Sequence, residues 1–202
     1  ALITGSTGMI GGLVLNHCLN SDKIQSVISL VRKSSGIKHQ KLNEVIIADF
    51  ENYANHENLF RDVDVAFFCL GAYTGQVDDN YLKKVTVDFA VQFAKTLRAN
   101  SPKARICLLS GAGADNTEKS RISFARYKGM AENQIKNTGL EFYSFRPGYI
   151  YPVESRKDPN FYYRIFRWIY PLIKLLGKNY SVKSTELASA MFNIGINGAN
   201  KS

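Results

Sequence analysis

Gly5, Gly8 and Gly11 fall three apart in the stretch Ala-Leu-Ile-Thr-Gly-Ser-Thr-Gly-Met-Ile-Gly-Gly at residues 1–12, between a short apolar run and a segment with apolar residues at helical spacing. The pattern is that of a phosphate-binding turn. A helix N-terminus presents unpaired N–H groups and a partial positive charge, so backbone brought close to it holds a pyrophosphate without a charged side chain. The turn Gly5-Ser6-Thr7-Gly8-Met9-Ile10 supplies that backbone, and glycine is needed where a Cβ would block the approach. The dinucleotide fingerprint G-x-G-x-x-G has one residue fewer in its first gap. A tight strand-to-helix turn with packing glycines and no ligand is the competing reading.

The next chemically informative position lies past Gln25–Val31, a β-branched run that predicts a second strand. In dinucleotide folds an acidic residue here accepts from the adenosine ribose of NAD, whereas a basic one accommodates the 2′-phosphate of NADP. This chain has Arg32-Lys33-Ser34-Ser35, and no Asp or Glu between Lys23 and Leu42. NADP is therefore the expected cofactor, with Arg32 and Lys33 as its phosphate ligands; a solvated basic loop is the alternative. A third strand is expected over Glu44–Ala48, ending at Asp49-Phe50, where Asp49 either faces the adenine amino group or caps the turn. Val63–Leu70 predicts a fourth strand, followed by Gly71. A glycine directly after a parallel strand lets Leu70-Gly71 backbone approach a ligand across the carboxyl ends of the sheet.

These elements need a scaffold, and the remaining chain supplies one. A helix is expected from about Asn80 to Asn100, with Tyr81, Val85, Phe89, Phe93 and Leu97 recurring every four residues. Ala104–Leu109 predicts a fifth strand ending at Ser110, a helix follows over roughly Lys119–Asn137, and a sixth strand spans Glu141–Phe145 before Arg146-Pro147-Gly148. Regular alternation of strands and helices predicts an α/β fold, a doubly wound parallel sheet of the Rossmann type with a small C-terminal helical lobe. In that lobe, residues 149–183 form a substrate or lid segment. Its Phe161–Tyr170 run interleaves aromatics with arginines, an amphipathic pattern ended or kinked by Pro171, and a lid or subunit contact is expected before a membrane surface. Ser184 is the expected N-cap of a last helix with Ala188, Met191, Phe192 and Ile196 inward.

Bulk properties narrow the function classes. At 202 residues, 45% hydrophobic and 21% charged, the chain fits one domain, residues 1–202. Ala1-Leu2-Ile3 is short for a central strand, so residues are expected to precede it. Cys18, Cys69 and Cys107 are odd in number and scattered, which argues against a disulfide framework and for a reducing, cytoplasmic location. His17, His39 and His56 lack a second ligand at metal spacing, and no metal is expected. No apolar run reaches the roughly 18 residues that span a bilayer. The net charge of +9 is spread along the chain, so a phosphorylated cofactor is the simplest anionic partner and no nucleic acid is expected.

Thr4-Gly5-Ser6-Thr7-Gly8-Met9-Ile10-Gly11, Arg32, Cys69-Leu70-Gly71, Ser110, Lys128-Gly129 and Arg146-Pro147-Gly148 together resemble an atypical member of the short-chain dehydrogenase/reductase superfamily, in the branch of Tat-interacting-protein-like NADP-binding proteins. The resemblance runs over nearly the whole chain. It implies that Ser110 polarises a substrate carbonyl, that Lys128 holds the nicotinamide ribose, and that Pro147 and Gly148 touch the cofactor. It also implies pairing of subunits into a homodimer. The superfamily's acid is a tyrosine four residues before the lysine, on the same helix face. Here that position holds Phe124, and Tyr127 is the candidate stand-in acid. Two readings follow: an NADP(H)-dependent oxidoreductase for an unknown small carbonyl or hydroxyl substrate, or a non-catalytic NADP(H)-binding sensor or regulatory partner.

Overall fold

Leu2–Thr4 (β1) is buried along its whole length at the middle of a six-stranded parallel sheet. The computed structural model describes residues 1–72, 75–153 and 181–199. The other strands are Val27–Val31 (β2), Leu42–Ile46 (β3), Val65–Phe68 (β4), Arg105–Leu109 (β5) and Glu141–Phe145 (β6). They lie in the order β3-β2-β1-β4-β5-β6. Chain direction across the sheet reverses between β1 and β4, and in open α/β sheets the crevice at such a switch point binds ligands.

Alternation along the strands feeds two cores. Ile3, Val27, Val65, Phe67 and Cys107 face Met9–Asn20 (α1) and Ser184–Asn197 (α5), which meet through Val14, Cys18, Leu187 and Met191. Leu2, Leu30, Ala66, Phe68, Ile106 and Leu108 face Phe93 and Leu97 of Phe89–Asn100 (α3) and Ile135 of Ser123–Lys136 (α4). Asp79–Lys83 (α2) leads into α3. Tyr149–Tyr151 (β7) and Ser181–Lys183 (β8) pair as a separate two-stranded parallel sheet. They bracket residues 154–180, so the expected aromatic helix over 161–170 and Pro171 lie outside the described residues. Among the described residues no helix is long and apolar enough to cross a membrane.

Several boundaries differ from the sequence expectation, each for a local reason. Residues 80–100 are not one α-helix: Lys84–Asp88 forms a π-helical turn between α2 and α3. Its surplus residue shifts the apolar stripe, so Tyr81 is 38% exposed while Leu82 and Val85 are buried. Strand β3 is centred two residues earlier than Glu44–Ala48, because its ladder pairs Val27 with Leu42 and Val31 with Ile46. Helix α4 begins at Ser123 instead of Lys119, since the Asp115 carboxylate binds the amides of Thr117, Lys119 and Ser120 at 2.7–3.0 Å and holds them as a loop. Ser184 is the first residue of α5 and not its cap; its hydroxyl accepts from the Val153 amide at 3.2 Å, tying β7 to the helix.

Candidate functional site

Gly5 leaves β1 at φ +73°, a conformation that side chains rarely adopt, and a Cβ there would stand 2.6 Å from the Cys69 carbonyl. A Cβ on Gly11 would stand 2.1 Å from the Gly5 oxygen. The two glycines therefore let α1 dock against the turn and the turn against the end of β4. Gly8 is the N-cap of α1, with no side-chain cap and no acidic residue in the first turn. The first helical bond runs from Gly12 N to Gly8 O at 2.8 Å and the Gly8 amide donates to Gly5 O at 2.9 Å, so the amides of Met9, Ile10 and Gly11 are those without a helical acceptor, the kind that receive an anion.

A cleft of about 690 Å³ opens at this point. One wall is the turn, Gly8, Met9, Ile10 and Gly11. Cys69, Leu70, Gly71 and Ala72 after β4 form the floor with Thr86 of the π turn, and Ser110, Gly111, Phe124, Lys128, Pro147, Gly148 and Tyr149 close the far side. Met9, Ile10, Gly8, Leu70, Gly71, Ser110, Lys128, Pro147 and Gly148, all expected at the site, are thus brought together. Gly5, Ser6 and Thr7 do not line the cleft: Thr7 is exposed, and Ser6 is buried with its hydroxyl meeting that of Ser29 at 2.7 Å. Arg32 and Lys33 are exposed at the end of β2 and make no ion pair among the described residues.

Other expected residues have different employment. Phe50 is 2% exposed and packs with Tyr53 and Phe89 in the core, so its side chain does not face the cleft. Asp49 caps its turn: its carboxylate accepts from the Glu51 amide at 2.8 Å. Tyr127 is not brought to the cleft. Its ring packs with Leu82, Val87 and Val91, and its hydroxyl donates to Asp79 at 2.5 Å.

Lys128 is 7% exposed and points its ammonium at the Leu109 carbonyl, 3.0 Å away. Burial pulls its pKa down to about 8, against the opposing pull of Glu132 and Cys69. Among the described residues it makes no ion pair, and the Phe124 ring centroid is 5.9 Å from Nζ. The ring itself fits because position 111 is glycine; a Cβ there would stand 2.6 Å from Phe124 Cζ.

Behind the cleft sits a residue that sequence reasoning missed. The Glu132 carboxylate accepts from Ser110 Oγ at 2.6 Å, Ser144 Oγ at 2.7 Å, Asn116 Nδ2 at 3.1 Å and Arg146 Nε at 3.0 and 3.2 Å, with Arg146 Nη2 also in contact. Burial pushes this carboxyl up, but Arg146, Ser110, Ser144 and Asn116 more than cancel that and hold it at about 2. The Ser110 hydroxyl proton is therefore committed to Glu132, and its oxygen lone pairs are what remain for the cleft. The one available signal was position: Phe124, Lys128 and Glu132 follow at i, i+4 and i+8 on one face of α4.

A parallel sheet in this order, a glycine turn at its switch point and a buried lysine facing it define a dinucleotide-binding Rossmann domain. The chain belongs to the NAD(P)H-binding family, which matches residues 5–163. Among relatives, it is 27% identical over 149 residues to rat Protein HTATIP2, covering 72% of this chain and 60% of that one. It is 29% identical over 157 residues to Protein fmp52, mitochondrial, of Aspergillus clavatus, covering 73% and 65%. The chain thus spans less than two thirds of either relative's length. In fold it is similar to the Bordetella bronchiseptica enzyme WbmH, solved in complex with NAD+, with a TM-score of 0.72, 16% identity, and coverage of 98% of this chain and 72% of that one.

Proposed function

We propose that this chain binds NADP(H) and serves as an oxidoreductase on a small carbonyl or hydroxyl compound, with chemistry slowed by Phe124 at the acid position. The observation that carries the reading is the cleft itself: uncapped amides at α1, glycines where a Cβ would collide, and the buried Lys128 at its far end, bonded to a backbone carbonyl and without an ion pair among the described residues. When bound, the nicotinamide supplies hydride transfer. The chain's part is to hold the pyrophosphate on the glycine turn, the adenosine 2′-phosphate on Arg32 and Lys33, and the nicotinamide ribose on Lys128. Ser110, whose proton is held by Glu132, accepts a hydrogen bond from a hydroxyl group at the reacting end and in this arrangement does not donate to a carbonyl. One observation favours a second reading, a sensor that binds NADP(H) without turnover: the hydroxyls of Ser110 and Tyr127 are both engaged by carboxylates.

The cofactor assignment is tested by titrating the protein with NADPH and NADH and following nicotinamide fluorescence. NADPH is expected to bind about tenfold more tightly, and Arg32→Ala to erase most of that margin, since a bond to a charged group contributes about 1.5–3 kcal/mol. Equal affinities would remove the NADP assignment. Tyr127→Phe separates the candidate acids: turnover is expected within about twofold of wild type, because losing a positioned acid costs on the order of a hundredfold or more. Free thiols at Cys18, Cys69 and Cys107 fit a reducing compartment, whether the cytoplasm or the mitochondrion given in the fungal relative's name.

A further inference from the structure

Glu44 stands on β3 directly across from Ser29 of β2. The Ser29 hydroxyl in turn meets that of Ser6 in the glycine turn at 2.7 Å. Residues paired across parallel strands carry their side chains on the same face, and neighbouring strands lie about 4.8 Å apart. Ser6, Ser29 and Glu44 therefore form one polar row from the phosphate turn to the edge of the sheet. At the end of that row the Glu44 carboxylate accepts from Ser34 Oγ at 2.6 Å and from the Ser35 amide at 2.9 and 3.1 Å. The loop after Arg32 and Lys33 is thus folded back onto a carboxylate. Its hydroxyl and amide are donors of the kind that hold a phosphate, and both are taken.

We propose that Glu44 sets the cofactor preference of this site, as an internal anion that competes with the 2′-phosphate of NADP(H) for Ser34 and Ser35. The proposal rests on the NADP(H) reading above and names the residue that limits it. Burial pushes the Glu44 carboxyl up, but its bonds from Ser34 and Ser35 outweigh this and hold it below the usual carboxylate range. The competitor is therefore charged at neutral pH. A 2′-phosphate reaching Arg32 and Lys33 meets that charge and finds the two neighbouring donors occupied. The 2′-hydroxyl of NADH carries no charge and escapes the repulsion. The sequence hides this carboxylate because it lies beyond the loop, on the following strand, where an acidic residue reads as an ordinary strand position.

The test is a fluorescence titration of the intact chain with NADPH and NADH, in wild type, Glu44→Gln and Glu44→Ala. Removing the charge is expected to tighten NADPH by about tenfold and leave NADH within about twofold. Adding Ser34→Ala to Glu44→Gln is expected to take back part of the gain, because the freed hydroxyl is then missing. If wild type prefers NADPH and neither Glu44 variant tightens it, the role of Glu44 is overturned while the NADP(H) reading stands. If wild type binds neither nucleotide, or binds NADH as tightly as NADPH or more tightly, the NADP(H) reading itself fails.

Discussion

Phe124→Tyr raises the rate of NADPH-dependent reduction of simple aldehydes and quinones by about 10² to 10⁴-fold, the range a positioned general acid contributes. The expectation follows from what surrounds the ring. Phe124 and Lys128 share a face of α4, with Nζ 5.9 Å from the ring centroid, and both line the cleft. A phenol added here stands beside the Lys128 ammonium, and a nearby cation favours the ionised phenol and so lowers its pKa. Position 111 offers no side chain to displace the ring. The comparison to make is kcat/KM of Phe124→Tyr with and without Lys128→Met: a gain that vanishes with the lysine identifies an acid acting through that pair. A wild type that already turns over quickly, with Phe124→Tyr no faster, would show that the proton comes from elsewhere.

Glu132→Ala is expected to destabilise the fold by about 3 kcal/mol, read as a shift in the midpoint of denaturant unfolding. Removing one partner of a buried pair costs about 3–5 kcal/mol when the other charge is stranded. The estimate sits at the low end because the Arg146 side chain is 40% exposed and regains water, whereas that of Glu132 is 5% exposed. The pH dependence has a definite sign. The folded carboxyl titrates at about 2, below the ordinary glutamate value of 4.5. Its contribution is therefore complete above pH 4.5 and is lost as pH falls toward 2. Wild type and Glu132→Ala should then converge in stability on acidification. A constant gap across that interval would mean that the loss comes from packing and not from charge.

What was legible in the sequence was what covalent stereochemistry dictates locally. Gly5 and Gly11 are glycines because a Cβ has no room, and that constraint shows in spacing alone. Leu70-Gly71 and the strand end at Ser110 followed from strand ends falling in register, which alternation of apolar runs predicts, whereas the roles of Ser110 and Lys128 came from the family resemblance. The Glu132 cluster was not legible, since its four donors come from two stretches 12 to 22 residues away and meet only when β5, β6 and α4 are packed. Tyr127 failed for a geometric reason. Three residues past Phe124 it is about 60° around the helix, enough to aim it at α2 and Asp79 instead of the cleft. Asp49 and Phe50 differ by a single step in alternation, one held in a turn and the other in the aromatic core.

The π-helical turn at Lys84–Asp88 has a consequence for how this chain tolerates changes in length. An α-helix advances about 100° per residue, and a π turn accommodates one residue more than its neighbours need. It lies between α2, whose Leu82 and Asp79 meet Tyr127 of α4, and α3, whose Phe93 and Leu97 pack against the sheet. Deleting one residue there would restore regular helical bonding and leave α2 and α3 presenting the same faces, because the wide turn already absorbs the surplus residue; the change would fall on Thr86 at the cleft floor. The surplus residue of this helix therefore serves the cleft floor and not the packing of its two ends.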